Sequence, residues 1–125
     1  MSTLMKKRMA LLITASTPEA AYAPWMMAAT AAAMGYECRL FYAFGGLDLL
    51  RSGLQADAAE QLASMPDPAS LRAICLEQGV ELAACSASLM ARGMSEADLL
   101  PGVTLAGMAS WLAFASGAEI QLSFN

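Results

Sequence analysis

The chain contains no histidine. That absence removes Ser-His-Asp and Cys-His nucleophile pairs and every His-containing metal site. Cysteine is scarce as well. Cys38, Cys75 and Cys85 are an odd number, 37 and 10 residues apart, with no C-x-x-C among them. The pattern fits neither a secreted disulfide framework nor a zinc site nor a thioredoxin-like dithiol, and it suits free thiols in a reducing, cytoplasmic setting. No metal and no cofactor is expected. Charge is sparse, at 14% of residues against about 25% in ordinary globular proteins. The net charge is −4, and Lys6-Lys7-Arg8 is the one basic cluster, so there is no stripe to neutralise a phosphate backbone and nucleic acid is not an expected partner. The carboxylates are dispersed and form no evident acid/base pair. No G-x-G-x-x-G follows the first apolar run, which argues against a dinucleotide site.

Apolar residues are plentiful, at 58% of 125 where about 45–50% is usual. A chain of this length reads as a single domain spanning residues 1–125. The apolar surplus predicts a homo-oligomer, because obligate interfaces resemble a domain core cut in half. Two stretches imitate membrane signals. Lys6-Lys7-Arg8, the short run Met9–Ala15 and Ala21-Tyr22-Ala23 have the outline of a signal peptide, but the run is minimal and leads into Ser16-Thr17-Pro18-Glu19, a helix start. Leu99–Ala118 carries no charge over twenty residues, yet Pro101, Gly102, Gly107 and Gly117 divide it into a short strand and a helix. Both stretches read as core, and no stable membrane insertion is expected.

Along the chain, Met9–Thr14 reads as a strand buried on both faces. Thr17 can cap a helix with Pro18 in its first turn, or Ser16 and Glu19 can form a capping box; the helix runs to Met34 and ends at Gly35. Pro24 either kinks it or marks its start. Tyr36–Phe44 is a second strand, and Gly45-Gly46 turns into a helical piece over Leu47–Arg51. Residues Ser52–Pro68 read as a surface excursion, stopped by Met65-Pro66-Asp67-Pro68. A helix over Ala69–Gln78, with Leu71, Ile74 and Cys75 facing the core, precedes a strand over Val80–Ala84. Ser86–Arg92 and Ser95–Asp98 are short helical pieces, Val103–Ala106 is a strand and Met108–Ser116 a helix. Glu119–Phe124 is a last, edge-like strand. The alternation predicts an α/β fold: a three-layer sandwich around a mostly parallel sheet of about five strands.

Open α/β sheets bind ligands at the carboxyl ends of their strands. Three features fall there: Ala15-Ser16-Thr17 after the first strand, Phe44-Gly45-Gly46 after the second, and Cys85 after the third. The two glycines can form an anion nest or a plain tight turn. Cys85 stands at a strand-to-helix junction, where helix N–H groups favour a thiolate, with Ser86 and Ser88 near enough to donate further hydrogen bonds. The same position suits a small buried hydrophobe, and position alone does not separate the two readings. Cys38, early in a strand, and Cys75, within a helix, read as packing residues. The ten methionines read as core or interface filler, and Trp25 and Trp111 as buried anchors.

Three stretches, 29–50 (ATAAAMGYECRLFYAFGGLDLL), 79–93 (GVELAACSASLMARG) and 102–124, resemble the DsrE/DsrF-like family in its branch of single-domain sulfurtransferases. They match its Ala-rich helix, Met-Gly turn and aromatic second strand, then its Gly-Val strand followed by a cysteine, then its closing apolar strand. The resemblance implies an α/β sandwich, trimers or hexamers, and sulfur trafficking through Cys85, with proteins or small sulfur compounds as donor and acceptor. Cys38 and Ala91 depart from the family pattern. The leading expectation is a sulfur carrier or sulfurtransferase that takes sulfane sulfur on Cys85. The alternative is a non-enzymatic oligomeric binding or scaffold module in which Cys85 is structural.

Overall fold

A computed structural model describes residues 6–51 and 68–125. Five strands, β1 (Arg8–Ile13), β2 (Glu37–Tyr42), β3 (Glu81–Cys85), β4 (Thr104–Ala106) and β5 (Ile120–Phe124), form one sheet in the order β4-β3-β2-β1-β5. Every pairing is parallel, with Leu11 opposite both Leu40 and Leu122, and Cys85 opposite Ala106. Four α-helices cover it: α1 (Pro18–Ala33), α2 (Pro68–Glu77), α3 (Ser86–Ala91) and α4 (Met108–Ala115). This is the three-layer α/β sandwich expected from the alternation of elements.

Residue parity assigns the layers. Met9, Leu11, Ile13, Cys38, Leu40, Tyr42, Leu82 and Ala84 share one core with Trp25 of α1, Cys75 of α2 and Leu89 of α3. Ala10, Phe41, Ala43, Ala83 and Cys85 share a second, smaller core with Trp111 and Phe114 of α4. Trp111 stacks on Phe41 at 5.1 Å between ring centroids. At the amino ends of the strands, Arg8 and Arg39 lie over the Phe114 ring at 5.0 and 4.4 Å, and Arg39 pairs with Glu81 at 2.8 Å. That end of the second core is closed by cations; the carboxyl end holds Cys85.

Local chemistry explains most boundaries. Thr17 caps α1 by accepting from the Ala20 N–H, and Pro18 occupies the first turn, where its missing N–H removes no helix bond. Pro24 lies inside the helix rather than at its start. The left-handed turn after α1 falls on Gly35, at φ 97°, which a side chain would oppose. The piece expected at Leu47–Arg51 is a 3-10 segment that begins earlier, over Phe44–Leu50. Ile74, expected in the core beside Leu71 and Cys75, is 41% exposed, because α2 turns Leu71 and Cys75 inward with Leu76 packed beside them. Of the expected excursion at Ser52–Pro68, residues 52–67 lie outside the described ones, and Pro68 opens α2. The stretch Leu99–Ala118 forms β4 and α4, but Leu105, Met108 and Leu112 remain exposed, so it is only half core. Among the described residues no helix is long and apolar enough to cross a membrane.

Candidate functional site

Cys85 ends β3 and is the N-cap of α3, where its Sγ accepts a hydrogen bond from the Ser88 backbone N–H at 3.5 Å. The residue is 1% exposed. Its side chain belongs to the α4 core, among Phe41, Ala43, Ala106 and Trp111. The neighbouring strand brings a second helix start to the same place. Cys85 pairs with Ala106, the next residue Gly107 is the N-cap of α4, and no side chain caps that helix. Cys85 therefore caps one helix and stands in register with the residue that precedes the start of another, which has no side-chain cap.

The other candidates fall into separate groups. Ser86 is half-buried at the first position of α3, and Ser88 is buried, engaging Cys85 through its amide. Gly45 and Gly46 pack against the end of β1, where a Cβ would meet the Thr14 carbonyl oxygen at 2.9 Å and the Ile13 carbonyl oxygen at 2.1 Å respectively. The Gly46 N–H donates to the Ala43 carbonyl. That close backbone approach accounts for both glycines. Ser16 and Thr17 are exposed at the end of β1, separated from β3 by β2, and the Thr17 hydroxyl is engaged as the α1 cap.

Cys38 and Cys75 lie on the opposite face. Their thiols donate to the Ala28 and Trp25 carbonyls of α1 at 3.7 and 3.3 Å. Burial pushes both up to about 11, with Lys6 offsetting part of the shift at Cys38 and Cys38 itself adding to it at Cys75. Each is held as a neutral thiol, a poor nucleophile. Burial also drives the Tyr42 phenol far above its ordinary range. Among the described residues no group of three or more His, Cys, Asp or Glu could hold a metal ion.

Sequence reasoning passed over Gly107, Trp111 and Arg92 as parts of the site, and took Phe44 only as part of a backbone turn with Gly45 and Gly46. Phe44 follows Ala43 at the end of β2 and is the only described non-glycine residue with positive φ, at 52°. Arg92, the C-cap of α3, donates to the Phe44 carbonyl at 2.7 Å and to Asp48 at 3.2 and 3.3 Å. The signal available for Gly107 was a glycine between a short strand and an apolar helix; nothing in the sequence marks Phe44 as left-handed.

Fold and site together define a parallel α/β sandwich with a cysteine at a strand's carboxyl end. The chain belongs to the DsrE/DsrF-like family, whose model matches residues 7–124. It is 27% identical to the sulfur carrier protein DsrE2 of Allochromatium vinosum, across 94% of this chain and 98% of that one. An uncharacterized protein of Methanopyrus kandleri is 37% identical over 72% of this chain and 69% of its own length. Two solved structures share the fold. The ychN protein of E. coli superposes with a TM-score of 0.70 at 18% identity, over 96% of this chain and 100% of that one. A protein of unknown function from Methanobacterium thermoautotrophicum gives 0.68 at 19%, over 94% and 99%.

Proposed function

We propose that this protein is a sulfur carrier, accepting sulfane sulfur on Cys85 and passing it to an acceptor thiol. The observation that carries the reading is the position of Cys85 as the N-cap of α3, in register with the residue before the uncapped start of α4. Family membership and a sulfur-carrier relative matched over nearly its whole length support it.

In the reaction proposed, the Cys85 thiolate attacks the outer sulfur of a persulfide R–S–SH. The Cys85 S–S bond forms as the donor S–S bond breaks, R–S⁻ leaves with the bonding electron pair, and Cys85 carries –S–SH. With thiosulfate the leaving group is sulfite and Cys85 carries –S–S⁻. The acceptor thiolate reverses the sequence, and no net oxidation occurs. The Ser88 N–H donates to the attacking Cys85 sulfur, and the amino end of α4, one residue beyond the β4 partner of Cys85, is the nearest uncapped helix start to the reacting end of the strand. Ser86, Gly45, Gly46, Ser16 and Thr17 belong to the surrounding strand ends as candidate substrate contacts.

A homo-oligomer working in the cytoplasm fits this reading. Leu112 and Leu122 are 58% and 44% exposed on and beside α4, an apolar surface that a subunit contact would cover. The competing reading, a binding or scaffold module with a structural Cys85, is favoured by the 1% exposure of that residue. Intact-mass measurement after incubation with inorganic polysulfide separates them. A reducible gain of sulfur on the wild type and none on Cys85→Ser is the expected result. Equal labelling of both, or of neither, removes Cys85 as the carrier.

A further inference from the structure

Phe44 is an aromatic side chain in a backbone conformation that opposes it. Its φ of 52° lies in the left-handed region, rare for a bulky residue. Its ring is 59% exposed and adds little to either core. Two glycines follow it directly, and a glycine at position 44 would adopt the same turn without strain. The turn itself is fixed by its surroundings. Gly45 and Gly46 must pass beneath the Thr14 and Ile13 carbonyls, so the chain bends sharply one residue after Ala43. Such strain persists where neighbouring structure over-determines it, and it gathers at functional sites.

Its place is the second observation. Tyr42 pairs with Ala84, so continuing the register sets Ala43 beside Cys85, and the two share the α4 core. Phe44 is the next residue outward, at the same end of the sheet as the buried sulfur. A third observation ties it to the cysteine's own helix. Cys85 begins α3 and Arg92 ends it. From there Arg92 holds the Phe44 carbonyl at 2.7 Å and Asp48, in the same 3-10 segment, at 3.2 Å.

We infer that Phe44 is a specificity-determining contact for the Cys85 site, meeting the carbon-bearing part of an organic persulfide or thiol, and that Arg92 is the positioning residue that holds it. The inference rests on the sulfur-carrier reading and adds a preference among substrates. An aromatic face favours a donor with a carbon body over a bare inorganic polysulfide, which has no apolar surface to lay against it. The Arg92 guanidinium, engaged by Asp48 and by the Phe44 carbonyl, serves to hold the loop.

The test is the rate of sulfur loading on Cys85, read by intact mass, with glutathione persulfide and with inorganic polysulfide as separate donors. Phe44→Gly relieves the strain, so its melting temperature should equal or exceed the wild type's. Its loading from glutathione persulfide should fall about tenfold, the upper end of an aromatic contact, through a higher half-saturating concentration. Loading from polysulfide should stay within about twofold. Phe44→Trp should restore the organic donor, and Arg92→Gln should shift the same ratio by a smaller factor. Rates in Phe44→Gly unchanged from the wild type with both donors, or equal losses with both, would overturn the inference while leaving Cys85 as carrier. If the wild type loads from neither donor, the sulfur-carrier reading falls and this inference falls with it.

Discussion

On the face covered by α1 and α2, the sheet presents Met9, Leu11, Ile13, Leu40 and Tyr42, none more than 2% exposed, packed against Trp25 and Cys75 at 0%. On the other face it presents Phe41 with Ala10, Ala43, Ala83 and Cys85, covered among the described residues by one eight-residue helix whose Leu112 is 58% exposed. Large branched and aromatic side chains fill the first interface and lock α1 in place. Apart from Phe41, which stacks on Trp111, small residues line the second, so α4 can approach the strands closely. The three cysteines follow the same division. Cys38 and Cys75 are neutral packing thiols on the closed face, and Cys85 stands on the open face at one helix start, beside the strand that leads to another. Burial alone does not distinguish them; the groups facing each sulfur do.

The sharpest way to break this comparison uses two glycines. A Cβ at Gly46 would sit 2.1 Å from the Ile13 carbonyl oxygen, whereas one at Gly107 meets nothing within 4 Å. Gly46→Ala should therefore destabilise by about 4 kcal/mol or more, because backbone rather than a movable side chain blocks it. Gly107→Ala should change the urea midpoint very little. A tolerated Gly46→Ala would mean that the 3-10 segment is not seated against β1 as described.

The two tryptophans make the next pair. Trp25 is 0% exposed and Trp111 is 6% exposed, so sequence hydropathy rates them alike. Removing Trp25 opens a cavity that the closed face cannot collapse around, and Trp25→Ala should cost about 3–5 kcal/mol. Trp111 sits on the inner face of the short α4, with solvent beside it, and Trp111→Ala should cost roughly half as much. Equal losses in denaturant titrations would show that the second core is as rigid as the first.

Much of this division was legible in the sequence, and its limits have a physical cause. The order of strands and helices followed from short apolar runs, Pro18, Gly35 and Gly79, because the signals that start and stop elements act over a few residues. Cys85 at a strand end followed in the same way. Which face it joins did not. A parallel strand buried on both sides has no polar–apolar alternation, so Val80–Cys85 reads equally well in either orientation. The uncapped start of α4 was hidden for another reason: Gly107 becomes the neighbour of Cys85 only through the pairing of β3 with β4, a contact between residues far apart in the chain. The left-handed Phe44 is set by the clash its two following glycines avoid with β1, which again is a tertiary fact.

Alkaline pH should act through the closed face. Cys38 and Cys75 rise to about 11 in the folded protein from an ordinary value near 9. Folding therefore favours the protonated thiols. Their contribution is fully present below pH 9 and is lost between about pH 9 and 11, as the unfolded chain releases protons the native one retains. The loss should reach roughly 2–3 kcal/mol per thiol at most. Urea unfolding at pH 7.5, 9 and 10.5 would measure it, and Cys38→Ala with Cys75→Ala should flatten the slope. A slope unchanged in that double variant would assign the alkaline loss to other groups, Tyr42 first among them.

The smallest expected change in stability separates fold from chemistry most directly. Thr17 caps α1 on the closed face, while α4 begins at Gly107 with no side-chain cap. Space is open around Gly107, so Gly107→Asp can supply the missing acceptor and should raise stability by a few tenths to about 1 kcal/mol. The same carboxylate would occupy the N–H groups beside Cys85 and set a negative charge against any anionic sulfur donor. If the open end of α4 serves the sulfur, the variant should melt slightly higher yet load from thiosulfate or polysulfide several-fold more slowly. If both stability and loading rise, the amino end of α4 is a structural gap and the negative charge on sulfur is held by α3 alone.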